Sequence, residues 1–302
     1  MKEAIDGVLR AFEGADLVCL GDVHELQEVG DFLSALVRDP GFSGTVNDIV
    51  VECGNSAYQE IADRFTAGRD VPPSDLLPIW RDTTQPGAWD SPIYGQLFVR
   101  VREVNRDLTP ERRIRVLLGD PPIHWDRVNT AAELAPFAAL REAHMAAVIE
   151  TQVLRKGRKA LFWAGSSHVV RKPETIPNPV VLVEKRRTGR VWVILAHSGF
   201  PDEQLETRLA AWPTPSLLRL ENTWLGRVDA ASYFHNVKPR GGRNPYGGVR
   251  LEDAADGYLY LGPPEELTWR PAPDDIYDGE YGAEVERRRG LIAGMAGLVR
   301  KV

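Results

Sequence analysis

Four short apolar runs, each stopping at polar or charged side chains, constrain this chain more than any other feature. They are Leu17-Val18-Cys19-Leu20 before Gly21-Asp22-Val23-His24-Glu25, Ile49-Val50-Val51 before Glu52, Val116-Leu117-Leu118-Gly119 before Asp120, and Ala160-Leu161-Phe162-Trp163 before Gly165-Ser166-Ser167-His168. Runs this short, with no polar alternation, read as strands covered on both faces. Strands alternating with helical stretches of ten or more residues imply an α/β fold with a mostly parallel sheet, flanked by helices on right-handed crossovers. Such sheets place their chemistry just beyond the carboxyl ends of the strands. If the four strands are parallel and adjacent, His24, Glu52, Asp120 and His168 converge on one rim.

Apolar positions at helical spacing predict helices over 25–37, 56–65, 74–80, 93–104, 136–154 and 281–301. Between the third and fourth of these, a polar loop beginning at Arg81 is long enough to reach the rim. The β-rich runs 180–184 and 191–197, joined by a basic turn over 185–190, predict a hairpin at a sheet edge. Residues 257–261 read as a last short strand in an irregular C-terminal extension. With 302 residues and 43% apolar content, one large domain is expected, its core over about 15–200 and the extension over about 200–302.

A net charge of −6 argues against a nucleic-acid partner, which would need clustered Lys and Arg. No apolar run approaches the roughly 20 residues that span a bilayer, and the first twenty residues are too acidic for a secretory segment. A cytoplasmic protein with no membrane partner is the expectation. The two cysteines, Cys19 and Cys53, sit in strand patterns and read as reduced core residues.

His24 has the chemistry of a general base, a metal ligand or a hydrogen-bond partner. A neighbouring carboxylate would raise its pKa and fix its tautomer. Each carboxylate taken alone is better read as a strand end facing solvent, but four polar ends on four strands favour a site. The turn 165–168 lacks the GxSxG spacing of a nucleophilic serine. Arg141 and His144 share a face of the helix predicted over 136–154, where Arg141 is placed to bind an anion or orient Glu52. Glu25, Asn55, Arg81, His144 and Trp163 are candidate substrate-binding residues around these groups. Trp80, Trp89, Trp125 and Trp163 are candidates to line an apolar cleft, although aromatic core packing is the commoner use. The ligand types suit a divalent metal held by His24, Glu52 and His168, but no HExxH or Cys/His spacing selects one. The glycine-rich stretch 240–248 lacks phosphate-loop spacing and reads as a surface loop.

Together these phrases resemble the EreA/ChaN-like group, which includes erythromycin esterases, haem-binding ChaN lipoproteins and, more distantly, the TIKI/TraB proteins. Gly21-Asp22-Val23-His24 is similar to the group's Gly-Glu-x-His motif, with Asp in place of Glu. Val51-Glu52 is similar to its second acidic strand end, and Leu118-Gly119-Asp120 to its Gly-x-Asp phrase. Arg141-Glu142-Ala143-His144-Met145-Ala146 resembles the esterase phrase Arg-Asp/Glu-x-x-Met-Ala, and Gly165-Ser166-Ser167-His168 the late glycine-to-histidine motif. The resemblance covers about 15–200, in order.

It implies a cleft lined by these residues and a hydrolase acting on an ester or amide of a small molecule. His24 would activate water, Glu52 and Asp120 would support it or bind a metal, and Arg141 and His168 would stabilise the oxyanion. The alternative it implies is haem or metal binding without turnover.

Overall fold

In the computed structural model, which describes residues 1–171, 177–186, 189–237 and 244–299, seven strands form one sheet. They are β1 (Leu17–Asp22), β2 (Asp48–Asn55), β3 (Arg115–Asp120), β4 (Ala160–Gly165), β5 (Val191–Ala196), β6 (Ser216–Arg219) and β7 (Gly257–Tyr260). Their order is β3-β2-β4-β1-β5-β7-β6, and every pairing is parallel except β6 with β7. The four apolar runs of the sequence are therefore four adjacent parallel strands.

Alternation along each strand divides the core into two layers. Val18, Leu20, Ile49, Val51, Leu161 and Trp163 face one cluster, while Leu17, Cys19, Val50, Ala160, Phe162 and Ala164 face the other. Both layers are covered by helices, which is why the strand sequences show no polar alternation. Cys19 and Cys53 are free and buried, one in each layer. Burial pushes both thiols well above their ordinary range, so neither is a reactive thiolate.

The predicted helices appear as Gln27–Arg38, Gln59–Thr66, Pro73–Arg81, Pro92–Asn105, Ala131–Val148 and Glu280–Val299. The second of these starts later than predicted. A single 3₁₀ turn, Ser56–Tyr58, comes first, and Asn55 caps it by accepting from the Ala57 amide. Ala131–Val148 starts earlier than its apolar pattern suggests, because Thr130 and Glu133 form a capping box.

The hairpin expected over 180–197 is corrected. Its first half is a helix, Pro179–Arg186, and its second half is β5, an interior strand between β1 and β7. Asn178 starts the helix by accepting from the Val181 amide at 2.9 Å. Val180 and Val183 are then buried in the second core layer, so burial overrides the β preference of valine. Part of the turn between the two runs, residues 187 and 188, lies outside the described residues, as do residues 240–243 of the glycine-rich stretch.

The region after residue 200 is no appendage, because β7 and β6 extend the same sheet. The last helix, Glu280–Val299, braces the loop 82–90. Arg288 donates to the Arg81 carbonyl and to Asp82, Tyr281 donates to Asp90, and Tyr277, in the turn just before the helix, donates to the Gly87 carbonyl. No helix among the described residues is long and apolar enough to cross a membrane.

Candidate active site

The register of the sheet assembles the rim. Asp22 of β1 lies level with Gly165 of β4, and Val51 of β2 lies level with Trp163 of β4, so Glu52 follows one step further out. The register of β2 on β3 shifts between Val51 and Asn55. Such an irregularity beside a site re-aims side chains.

Glu52, 3% exposed, is the hub. Its Oε1 accepts from Arg141 Nη2 at 2.6 Å and from His168 Nε2 at 3.0 Å, and its Oε2 accepts from the Gly165 amide at 2.6 Å. Arg141 also donates through Nε to Asp120 Oδ1 at 3.1 Å. Asp120, fully buried, is held further by Thr84, whose hydroxyl and amide donate to its two oxygens at 2.6 and 2.7 Å. His168 Nδ1 donates to Glu142 at 2.8 Å.

The charges follow from these partners. Burial works against ionisation of Glu52, but the charges of His168 and Arg141 outweigh it and hold the carboxyl well below its usual range. For His168 burial opposes the charged form, while Glu52 and Glu142 raise its pKa to about 9. It is an imidazolium at neutral pH, donating from both nitrogens. Its Nε2 lies 3.2 Å from Arg141 Nη1, a contact between two cations that the shared Glu52 oxygen makes tolerable. Asp120 is shifted upward, because burial outweighs the help it receives from Arg141 and Thr84.

His24 differs from the rest of the rim in being 43% exposed at its side chain. Its Nδ1 is tied to Asp22 Oδ2 at 3.0 Å, and Trp89 packs edge-on against the ring at 4.8 Å. Packing on the imidazole disfavours its charge, but the hydrogen bond and charge of Asp22, followed by Glu52, raise its pKa. Solvent at the open side screens both effects. A side chain at Gly165 would place its Cβ 2.9 Å from His24 Cε1 and 3.3 Å from Glu52 Oε2. Only glycine lets β4 pass this close behind the imidazole. Beyond His24 the chain turns through Glu25 in the left-handed conformation, φ 67°, an uncommon state for a residue with a side chain.

His24, Glu52, Asp120, Arg141 and His168, predicted from five separate places in the sequence, thus form one cluster. Trp163 stacks on Tyr94 behind it. The loop after Arg81 does reach the rim, through Thr84. Arg81 itself faces away, paired with Asp90 and lying 4.2 Å over the Tyr281 ring. Asn55 is buried and uses its whole amide on backbone, donating to the Asp82 and Ile123 carbonyls and accepting from Ala57. His144 pairs with Ser56 at 3.0 Å, apart from the cluster. Ser166 turns away, bonded to the Asp22 carbonyl and the Tyr233 hydroxyl.

Of the four tryptophans considered for a cleft, Trp89 and Trp163 back the site. Trp80 packs on Phe98, and Trp125 donates to the Thr83 carbonyl. The sequence reading did not single out Thr84 or Tyr94 and gave Glu142 no role at the site. Glu142 is the legible one of the three, as the acid beside Arg141 in the motif.

Two of the three residues expected to hold a metal, Glu52 and His168, are otherwise engaged, which leaves His24 alone with an open nitrogen. Both Glu52 oxygens carry strong donors, both His168 nitrogens donate to carboxylates, and the Arg141 guanidinium supplies the positive charge between Glu52 and Asp120. Among the described residues no group of three or more His, Cys, Asp and Glu side chains is placed to hold a metal ion. In this arrangement the residues do not fit a metal centre.

No family model and no curated protein matches the chain. Solved structures do. A succinoglycan biosynthesis protein aligns with TM-score 0.58 at 10% identity, covering 85% of this chain and 90% of its own. The erythromycin esterase EreC, in an open conformation, aligns with TM-score 0.53 at 12% identity, covering 88% and 94%. The chain has the erythromycin esterase-like fold. ChaN of Campylobacter jejuni, solved with cofacially bound haem, is a looser likeness at TM-score 0.42 and 15% identity, over 65% and 87%. At these identities the esterase-like likeness is one of fold.

Proposed function

We propose that the protein hydrolyses an ester or amide bond in a small molecule, with His24 as the general base that activates water. The observation that carries this reading is the Asp22–His24 pair. Asp22 accepts from Nδ1, so in the neutral ring Nε2 carries the lone pair, and His24 is the one imidazole of the cluster open to solvent. A base tuned somewhat above its ordinary pKa by a carboxylate suits proton abstraction near neutral pH. Arg141 and the cationic His168, whose two N–H groups are committed to Glu52 and Glu142, place positive charge beside it that favours a developing oxyanion. Glu52 and Asp120 hold those cations in place. The esterase-like fold supports this reading.

The test is hydrolysis of a panel of small esters, lactones and amides by wild type and His24→Ala. A loss of about 10²–10⁴-fold in kcat is expected for removal of a general base. Equal rates in the two proteins would overturn the assignment.

The same exposed imidazole supports a second reading, ligand binding without turnover. His24 would be the residue that holds a haem at the open face, since the space behind it, about 10 Å³, takes no macrocycle. A Soret band on adding haemin, lost in His24→Ala and accompanied by no hydrolysis in the wild type, would favour that reading.

A further inference from the structure

Behind His24, Trp89, Tyr94 and Trp163 line a small cavity together with Asp22 and Glu52. The space open to the centre of a water molecule is about 10 Å³, close to the minimum that one water occupies. The three aromatic residues are 2%, 1% and 2% exposed. Their rings lock together, Trp89 edge-on to Tyr94 at 5.0 Å and Tyr94 stacked on Trp163 at 5.5 Å.

Their polar atoms are the anomaly. Trp89 Nε1 and Trp163 Nε1 have no hydrogen-bond partner among the described residues. The Tyr94 hydroxyl also lacks one in bonding geometry, although the Glu25 backbone amide lies near it. Buried polar groups in native proteins are nearly always satisfied. Two indole N–H groups without an acceptor, on residues that line one cavity, point to an absent partner.

The chemistry of the wall selects that partner. An indole N–H can only donate, so the ligand must accept. Ammonium and metal cations bring no lone pair for it. An anion would meet the carboxylates of Asp22 and Glu52. A neutral molecule that both accepts and donates, and is no larger than the cavity, is required. We propose that the cavity holds one buried water, accepting from Trp89 and Trp163 and donating to Asp22 and Glu52.

This water completes a continuous hydrogen-bonded row: His24, Asp22, water, Glu52, His168. It gives the two acid–imidazole pairs a shared polar contact beneath the protein surface, independent of bulk solvent. The inference does not depend on turnover, because a binding protein with the same cavity would hold the same water.

The experiment is water–protein cross-relaxation by NMR on the full chain, read at the indole protons. Trp89→Phe and Trp163→Phe each assign one signal while keeping the ring packing. Both wild-type indole protons are expected to show cross-peaks to water with the sign of a long-lived bound molecule. A high-resolution crystal structure should show a single peak between the two indoles, lost in the double variant.

Indole protons without such cross-peaks, and an empty cavity in the crystal, would overturn the proposal. A water that persists unchanged in the folded double variant would overturn its dependence on the indoles. Should the double variant not fold, the wild-type measurements decide alone. None of these readouts involves hydrolysis, so failure here and failure of the esterase reading are distinguishable.

Discussion

Arg141 and Glu52, 89 positions apart in sequence, meet at 2.6 Å in a buried ion pair. Arg141 simultaneously holds Asp120, so one guanidinium pairs with two buried carboxylates from two strands. Removing one partner of a buried pair leaves uncompensated charge, which costs about 3–5 kcal/mol. Arg141→Ala is expected to lose stability of that order in urea unfolding. Arg141→Lys should recover only part of it, because an ammonium cannot serve both acids as a planar fork does. An Arg141→Ala protein as stable as wild type would show that the pair is not under strain of burial.

The Asp22–His24 contact predicts a pH profile. Its net effect is to raise the His24 pKa above 6.5, and the general base acts when neutral. The acid limb of kcat/KM should therefore have its midpoint above pH 6.5. Asp22→Asn removes the carboxylate charge and should move that midpoint to lower pH while reducing the rate. An acid limb identical in the two proteins would detach Asp22 from the role given to it.

Gly165 is predicted to be irreplaceable for function and replaceable for folding. In Gly165→Ala the new methyl falls 2.9 Å from His24 Cε1, and the exposed imidazole is the neighbour free to yield. A displacement approaching 1 Å at a catalytic group costs on the order of 10²-fold in rate. Circular dichroism and kcat measured on one preparation separate the two effects. Full activity in a well-folded Gly165→Ala would mean that His24 need not sit where the structure puts it.

His168 ties stability to alkaline pH. Its folded pKa is about 9 against 6.5 for a free imidazole. A group raised on folding contributes stability that is fully present below the unfolded value and lost as pH rises through the folded one. Stability should fall between about pH 6.5 and 9, and His168→Gln should flatten that part of the curve. Denaturation midpoints across this range test it.

The rim was legible because its logic is local. An apolar run that stops at an acid or a histidine marks a strand end, and four such ends in parallel strands can only gather on one side of the sheet. What was not legible depends on partners far away in sequence. Nothing around Asn55 tells that its amide is consumed by the Asp82 and Ile123 carbonyls, and nothing around Arg81 tells that Asp90 and Tyr281 draw it off. Thr84 looks like any loop threonine until Asp120 arrives beneath it. Val180 and Val183 misled for a related reason: their β preference is weaker than the burial that Asn178 and the second core layer impose.

The brace formed by the last helix has a consequence for how the protein is made. The loop 82–90 carries Thr84 and Trp89 into the site, yet Arg288, Tyr281 and Tyr277, which fasten that loop, are synthesised about 200 residues later. On the ribosome, the strands bearing His24, Glu52, Asp120 and His168 emerge well before the residues that tether this loop. A nascent chain arrested between residues 200 and 270 would have the charged groups of the rim without the clasp that fixes their aromatic backing, and would gain that clasp only once residues 277–288 have emerged.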